Sequence, residues 1–276
     1  MTPPSVLCVG LATKDTVLAV PSLPAPDGRV VAREAVVAGG GPAATAAVTL
    51  ARLGVDVAFA GSVGADDAGA FVLEALAGEG VDVSRVSVAR GARTPESTIL
   101  VDDAGRRAIV HVAGDAPLHL VDANGSAWVH VDHVGFAHAS GAKVSLDGGN
   151  PIERLDLSGV TLYAPTEERL RAEFGDAGAA LAAGAELVVV TRGERGSTAT
   201  TGDGRIVEEP GVPCPNLVST LGAGDVFHGA LLAYLLEDAP LERALRAANT
   251  AASLSCRALD SRSAIPTRDE LEAALA

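Results

Sequence analysis

Short runs of apolar, often β-branched residues alternate along the chain with longer segments rich in alanine and leucine. This alternation is typical of β-α units around a buried parallel sheet, because strands covered on both faces read as continuous apolar runs. Core strands are predicted at residues 6–9, 55–60, 128–131, 143–146, 160–163 and 187–191. Helices are predicted at residues 43–53, 68–77, 167–174, 225–236 and 241–255. The pattern therefore predicts an α/β fold with a mostly parallel central sheet.

Two stretches interrupt the alternation. Residues 16–37 and 97–112 read as paired extended segments, with turn signals at residues 26–28 and 102–105. Hairpins inserted into a β-α fold can cover the carboxyl edge of the sheet, where open α/β proteins bind ligands. We predict a small β lid with strands inserted at about residues 14–38 and 95–113. An ordinary extension of the main sheet is the alternative.

Composition and charge narrow the class of protein. The chain has 276 residues, which suits one domain over residues 1–276, and its net charge is −14. An acidic surface repels nucleic-acid phosphates and anionic lipids, so neither nucleic acid nor membrane is expected as a partner. Three scattered cysteines form no metal-binding motif, and the first residues carry no basic segment before the apolar run. A cytoplasmic location is expected.

The strongest local motif runs from Ser219 to Ala230, where a turn of small residues leads directly into an apolar helix. Gly222, Ala223 and Gly224 allow backbone N–H groups to approach a ligand closely, and the positive end of the following helix attracts anions. Asp225 at the helix start is either a simple N-cap or a base that takes a proton from an attacking hydroxyl. The motif indicates a phosphate site, with a tight turn and cap as the alternative.

Two weaker pieces accompany this motif. Residues 39–41 are three glycines that lead into a helix through Pro42, and residues 188–196 are a buried strand that ends in a loop containing glycine. Both are ambiguous alone. Two common nucleotide motifs are absent: GxxxxGK[ST] does not occur, and no GxGxxG follows the first strand.

In this order the three pieces resemble the ribokinase-like (PfkB) family of carbohydrate kinases, over nearly the whole chain. Residues 222–225 with Gly229 and Ala230 resemble its C-terminal signature, and residues 40–54 its N-terminal one. Thr191 and Gly193 resemble its nucleotide loop, and Asp15 its sugar-binding aspartate. Within the family, the sequence is most similar to the ketohexokinase and sulfofructose kinase branch. The resemblance implies a three-layer α/β/α sandwich with a β-strand lid.

The resemblance also implies a reaction. Asp225 would take the proton of a sugar hydroxymethyl group, which attacks the γ-phosphate of ATP, while the Gly222–Ala223–Gly224 amides and Mg²⁺ hold the developing charge. The sugar and ATP are thus the implied ligands. Nucleotide contacts are expected from Thr191, Gly193, Thr220, Gly222, Gly224 and Asn249, and sugar contacts from Asp15, Gly40, Gly41, Thr45 and Arg107. A homodimer through the lid is a further expectation.

Three positions depart from the family pattern. Thr45 stands where asparagine is usual, which leaves the sugar preference open. Ser219 stands where aspartate is usual, which leaves activation by potassium (K⁺) open. The family often has Asn-x-x-Glu where this chain has residues 166–169. Glu168 can take the place of the glutamate that acts towards the metal only with a shift of one residue. A nucleoside kinase of the same fold and a non-catalytic sugar- or nucleotide-binding protein are therefore kept as alternatives.

Three further side chains carry expectations. Arg107 and Arg33 on the lid are the candidates for binding a phosphorylated or sulfonated sugar, against an interpretation as solvated arginines. His228 follows the signature aspartate by three residues and is expected on the helix surface, with an orientation towards the phosphates as the alternative.

Overall fold

The apolar runs form one central sheet in the computed structural model, which describes residues 5–140 and 143–276. From one edge to the other its strands are β16 (Ile206–Glu209), β15 (Ser197–Thr201), β14 (Leu187–Thr191), β13 (Val160–Pro165), β12 (Lys143–Gly148), β10 (Trp128–Val131), β1 (Val6–Val9) and β4 (Val57–Ala60). The six predicted strands are confirmed and run parallel. Residues 1–4, part of the segment on which the expected cytoplasmic location rests, lie outside the described residues.

Helices cover both faces of the sheet, so the expected three-layer α/β/α sandwich is confirmed. They are α1 (Pro42–Arg52), α2 (Asp67–Gly78), α3 (Glu167–Glu173), α4 (Ala177–Ala182), α5 (Ala223–Leu236), α6 (Leu241–Ser255) and α7 (Arg268–Leu275). Successive side chains of a strand point to opposite faces. Val6 and Cys8 of β1 therefore pack in the cluster that contains α1, α5 and α6, whereas Leu7 and Val9 pack with α3 and α4.

The helix that carries the main motif packs closely against α1. Gly229 lies where α5 crosses α1, and a Cβ atom there would come within 2.7 Å of the Ala46 carbonyl oxygen. A larger residue at position 229 would push the two helices apart. The close crossing therefore fixes the start of α5 relative to the glycine-rich segment before α1.

The two inserted stretches form a separate four-stranded sheet, which we call the lid. Its strands, in order, are β3 (Glu34–Gly40), β2 (Thr13–Val20), β7 (Glu96–Asp102) and β8 (Arg107–Val112). Side chains alternate between its two faces. One face is directed at the carboxyl edge of the central sheet and the other points away, so the lid is not an extension of the main sheet. Two short pairs complete the strands of the described residues: β5 (Ser62–Gly64) with β6 (Ser87–Ala89), and β9 (Val121–Asp122) with β11 (Ala139–Ser140).

Asp132 holds the carboxyl edge of the sheet together. Its fully buried carboxylate accepts hydrogen bonds from the backbone N–H groups of Leu11 (2.8 Å), Ala43 (3.2 Å), Val134 (2.8 Å) and Gly135 (3.0 Å). These groups belong to the segment after β1, the first turn of α1 and the turn after β10. One carboxylate thus fixes the loops from which the cavity below is built.

None of the helices in the described residues is both long and apolar enough to cross a membrane.

Candidate active site

A cavity of about 500 Å³ lies between the lid and the carboxyl edge of the central sheet. The lid contributes side chains to one wall, the ends of β12 and β14 contribute to another, and the start of α5 closes the floor. The lining residues used below are Asp15, Ser97, Arg107, His111, Asp147, Thr191, Thr220, Gly222, Gly224, Asp225 and His228. The two predicted chemical sites, around Asp15 and around Asp225, therefore open into one space.

The start of α5 presents backbone donors to this cavity. Gly222 is the N-cap of the helix and has the left-handed φ of +76°, and a Cβ atom there would lie 2.4 Å from the Cβ of Ser261. Because the N-cap is a glycine, no capping side chain takes up the first N–H groups of the helix. A Cβ atom at Gly224 would meet nothing within 4 Å among the residues that the structure describes, so its backbone is open to a ligand there. This geometry suits an anion.

Asp225 lies in the first turn of α5 and lines the cavity. Burial and the nearby carboxylates of Asp147 and Asp132 raise its pKa to about 8, while the cations of His228 and Arg262 act in the opposite direction. A carboxylate with a raised pKa is a stronger proton acceptor. Asp225 is thus suited to take a proton from a bound hydroxyl group.

Asp15 lies at the other end of the cavity. Its side chain is 6% exposed, and within the described residues its Oδ1 atom has no hydrogen-bond partner. Burial raises the pKa of Asp15, while the hydroxyl groups of Thr13 and Ser97 lower it. Gly40 has to be a glycine here, because a Cβ atom would lie 1.9 Å from Oδ2 of Asp15. A buried acceptor that lacks a donor and faces a cavity fits a ligand hydroxyl group.

Arg262 is a site residue that the sequence analysis missed. Its guanidinium donates to the carbonyl oxygen of Gly40 (2.7 Å) and to Oγ1 of Thr45 (3.3 Å), and its side chain is buried. Burial lowers the pKa of Arg262 to about 10, and the carboxylates of Asp15 and Asp225 oppose that shift. Arg262 therefore lies behind the cavity wall as a cation shared by the two carboxylates.

Thr45 and Gly40 are placed behind the wall as well. Thr45 is fully buried on α1, does not line the cavity and is bonded to Arg262. Gly40 contacts Asp15 and Arg262 rather than the cavity, which its neighbour Gly41 lines. Gly41 is therefore the residue of this loop that a ligand in the cavity could contact directly, and Thr45 contacts Arg262 instead.

Arg107 connects the lid to the turn before α5. Its Nη1 donates to Oγ1 of Thr220 at 2.9 Å, and both residues line the cavity. The other lid candidate, Arg33, is paired with Asp103 and does not line the cavity. Arg107 is therefore the arginine that a bound anion would meet.

Of the remaining predicted residues, one lines the cavity and the others lie outside it. Thr191 lines the cavity at the end of β14, but Gly193 lies beyond it in a short 3-10 helix. Asn249 donates its side-chain amide to the carbonyl oxygens of Glu209 (3.3 Å) and Pro210 (3.1 Å). Ser219 is buried and accepts from the Leu221 N–H at 3.1 Å. Glu168 is exposed on α3 and does not line the cavity.

A family model for the pfkB family carbohydrate kinases matches residues 3–157 and 155–268. The chain belongs to this PfkB family. It is a sugar kinase, a phosphotransferase, and ATP binding follows from the family. The ribokinase-like fold agrees with a solved structure, a putative ribokinase from Agrobacterium tumefaciens, with a TM-score of 0.87, 29% identity and coverage of 99% of this chain and 97% of that one.

Curated relatives of this PfkB kinase extend over almost its whole length. It is 31% identical to an ATP-dependent ribose-1-phosphate kinase from Halopiger xanaduensis, over 98% of this chain and 97% of the relative. It is 28% identical to a ribokinase from Haemophilus influenzae, over 95% of each chain. Mouse ketohexokinase is 25% identical, over 91% of this chain and 95% of the relative.

Proposed function

We propose that this kinase transfers the γ-phosphate of ATP to a hydroxymethyl group of a ribose-type sugar, with Asp225 as the base. The observation that carries the proposal is the shared cavity. At one end it has a carboxylate oxygen of Asp15 that is unpartnered within the described part of the chain, and at the other end it has Asp225 beside the backbone amides at the start of α5. The sugar hydroxyl gives its proton to Asp225, and its oxygen forms a bond to the γ-phosphorus. The bond from that phosphorus to the bridging oxygen of ATP breaks, and ADP leaves.

The first turn of α5 and Arg107 stabilise the transferring group. Backbone N–H groups at Gly222–Gly224 and the helix dipole place partial positive charge where negative charge develops. Arg107 adds a full charge from the lid. Water is excluded when the lid and a ligand fill the cavity.

Mg²⁺ is proposed to arrive with the nucleotide. Within residues 5–140 and 143–276, no cluster of three or more His, Cys, Asp or Glu side chains could hold an ion by itself. This donor set fits an ion that is bound mainly by substrate phosphates and water, as is usual for Mg²⁺ in kinases. When bound, Mg²⁺ supplies charge neutralisation on the phosphates. The metal role predicted for Glu168 would require its exposed side chain to turn towards the nucleotide.

The named relatives favour a pentose. The first is a ribose-1-phosphate kinase and the second a ribokinase, so we propose ribose or ribose 1-phosphate as the acceptor. The cation of Arg107 favours the phosphorylated sugar. A ketose is the second candidate, supported by the similarity to mouse ketohexokinase. A nucleoside is disfavoured, because no Phe, Tyr or Trp among the described residues lines the cavity to stack on a base.

An acceptor panel tests the proposal. Purified protein with ATP and Mg²⁺ would be offered ribose, ribose 1-phosphate, fructose and inosine, and ADP release and the phosphorylated product would be measured. Parallel assays in potassium and in sodium buffer address the Ser219 position. We expect the highest kcat/KM with one of the two ribose compounds. Thermal stabilisation by sugar and nucleotide without ADP formation from any acceptor would support the non-catalytic alternative instead.

We also propose that the lid forms a homodimer through its outer face. Arg107, Ile109 and His111 of β8 line the cavity, so Val110 and Val112 point away from it. Val110 is 65% exposed and Val112 is 48% exposed. Register places Val110 in one row with Thr98, Thr16 and Val37, across all four strands of the lid. A row of uncharged valine and threonine side chains of this kind suits a second copy of the same face.

Val110→Glu is expected to convert a dimer to a monomer, because it buries a charge in the interface. Light scattering coupled to size-exclusion chromatography would measure the mass, and circular dichroism would check the fold. Ile206→Glu is the matched control, since Ile206 is 64% exposed on β16, outside the lid. A wild-type monomer at all concentrations, or a dimer that survives Val110→Glu, would contradict the lid interface.

A further inference from the structure

A buried ion pair lies directly beside Asp225. His228 is on α5, three residues after Asp225, and Asp147 is in β12 near its carboxyl end. His228 Nδ1 lies 3.1 Å from Oδ2 of Asp147, and the two side chains are 5% and 4% exposed. The expectation of His228 on the helix surface is therefore wrong: the face of α5 that carries it packs on the sheet. Both residues line the same cavity as Asp225.

The surroundings keep this pair charged. Burial alone would lower the pKa of His228, but the carboxylates of Asp147 and Asp225 raise it above its ordinary value. Burial alone would raise the pKa of Asp147, but His228 and the N–H of Gly149, which donates to Oδ1 at 2.7 Å, lower it to about 2. These surroundings thus favour the imidazolium form of His228 beside the carboxylate of Asp147.

A neighbouring histidine provides a contrast. The ring of His130, in β10, lies 6.0 Å from the ring of His228, and its Nδ1 is 3.1 Å from Oγ of Ser145. Burial and the charge of His228 lower the pKa of His130 to about 4. His130 is therefore neutral at neutral pH, and of the two rings it is His228 whose protonated form the surroundings favour.

Residues three apart on a helix lie on the same side of it, so His228 and Asp225 face the cavity together. We propose that His228, paired with Asp147, is a positioning residue for phosphoryl transfer: its imidazolium faces the Asp225 carboxylate and increases the fraction of Asp225 that is ionised and can accept the hydroxyl proton. This inference rests on the proposed role of Asp225 as base. Asp147 has two opposed effects on Asp225: its own charge disfavours the ionised form of Asp225, and it favours the protonated His228 imidazole, which supports that form.

The charges around Asp225 show why one more cation matters. Asp147 faces it from β12 and Asp132 from the segment after β10, whereas Arg262 faces it from the segment after α6. Without His228, Asp225 would face two carboxylates with only Arg262 to offset them. Its ionised form would then be disfavoured, and a larger share of the enzyme would carry a protonated, inactive base at neutral pH.

The pH profile of His228→Gln tests the inference. In the wild type, kcat/KM is expected to rise with pH as Asp225 ionises. In the variant this rising limb of the pH profile should shift to higher pH by about one unit or more. The shift corresponds to about a tenfold loss of kcat/KM at neutral pH, and kcat/KM should recover at high pH. His130→Gln is the matched control, because it replaces a neutral buried ring at the neighbouring position. A general packing defect would lower kcat/KM at every pH without moving the limb.

Ring NMR of ¹⁵N-labelled histidine supplies a readout that does not depend on activity. The His228 ring, assigned by its loss in His228→Gln, should remain protonated above pH 7, and Asp147→Asn should make it neutral there. A neutral His228 at pH 7 in the wild type, or an active His228→Gln enzyme with an unmoved limb, would overturn the inference. A wild type without transfer to any acceptor would instead contradict the proposed function, while the NMR result would still decide the charge state.

Discussion

Replacing Asp225 with asparagine is expected to lower kcat by about 10²- to 10⁴-fold, the usual contribution of a general base. The amide keeps the shape of the side chain but cannot accept the hydroxyl proton. ATP binding should persist, because the amides of Gly222 and Gly224 and the dipole of α5 are unchanged. Transfer is measured by ADP release with saturating sugar, and nucleotide binding by calorimetry.

The same substitution should make the protein more stable at neutral pH. An unfolded Asp ionises near pH 3.8, but the folded environment raises the pKa of Asp225 to about 8. Between these values the folded state binds more protons than the unfolded state, so the ionisable group costs stability as pH rises. Asparagine removes that cost, and the gain should grow from pH 4 towards pH 8 in thermal unfolding.

Asp269→Asn is the control for both measurements, because Asp269 is exposed on α7, outside the cavity. It should leave kcat and the pH dependence of stability unchanged. Asp225→Asn with nearly full activity would show that another group takes the proton. Asp225→Asn with lost activity and lost stability would indicate a structural role for this carboxylate.

The strands and the main motif were predictable because their signals are local. Residues 187–191 form a mostly buried apolar run, and the turn at residues 220–222 directly precedes a helix. The antiparallel strand β15 was missed because Ser197–Thr201 alternates polar and small residues with little apolar signal. Helix α7 was not predicted either, although its sequence carries a helix-start signal: Thr267 and Glu270 form a capping box there.

The missed parts of the site depend on contacts between distant segments. Asp132 accepts from Leu11 and Ala43, which lie 121 and 89 residues away in the chain. Arg262 reaches Gly40 across 222 residues. His228 looks like a surface residue until β12 is placed against α5. Such groups have no motif around them, because their function is defined by which loops the fold brings together.

The segment around Arg262 lies between two glycine-containing segments, the one before α1 that includes Gly39 and the turn before α5 that includes Gly222. Ser261 donates through Oγ to the Gly39 carbonyl oxygen at 3.3 Å, and its Cβ occupies the space that a side chain at Gly222 would need. The Asp260 carboxylate accepts from the N–H groups of Arg262 and Ser263, both at 2.8 Å. Arg262 is therefore held rigidly at the position where both site carboxylates face it.

Replacing Arg262 with methionine should cost about 3–5 kcal/mol of unfolding free energy, as expected when one partner of a buried charge network is removed. The apolar stem is preserved, but the Gly40 carbonyl oxygen loses a donor and Asp15 and Asp225 lose their shared cation. Urea denaturation measures the change.

Arg257→Met, at an exposed position of the same segment, should stay within about 0.5 kcal/mol of the wild type. In folded Arg262→Met protein, the KM for sugar should rise, because the orientation of Asp15 and of the loop before α1 depends on the guanidinium. A loss below about 1 kcal/mol together with an unchanged sugar KM would show that the two carboxylates do not need this cation. A larger loss of stability together with a raised sugar KM would explain how a protein with a net charge of −14 holds two carboxylates in one cavity beside a polyanionic nucleotide.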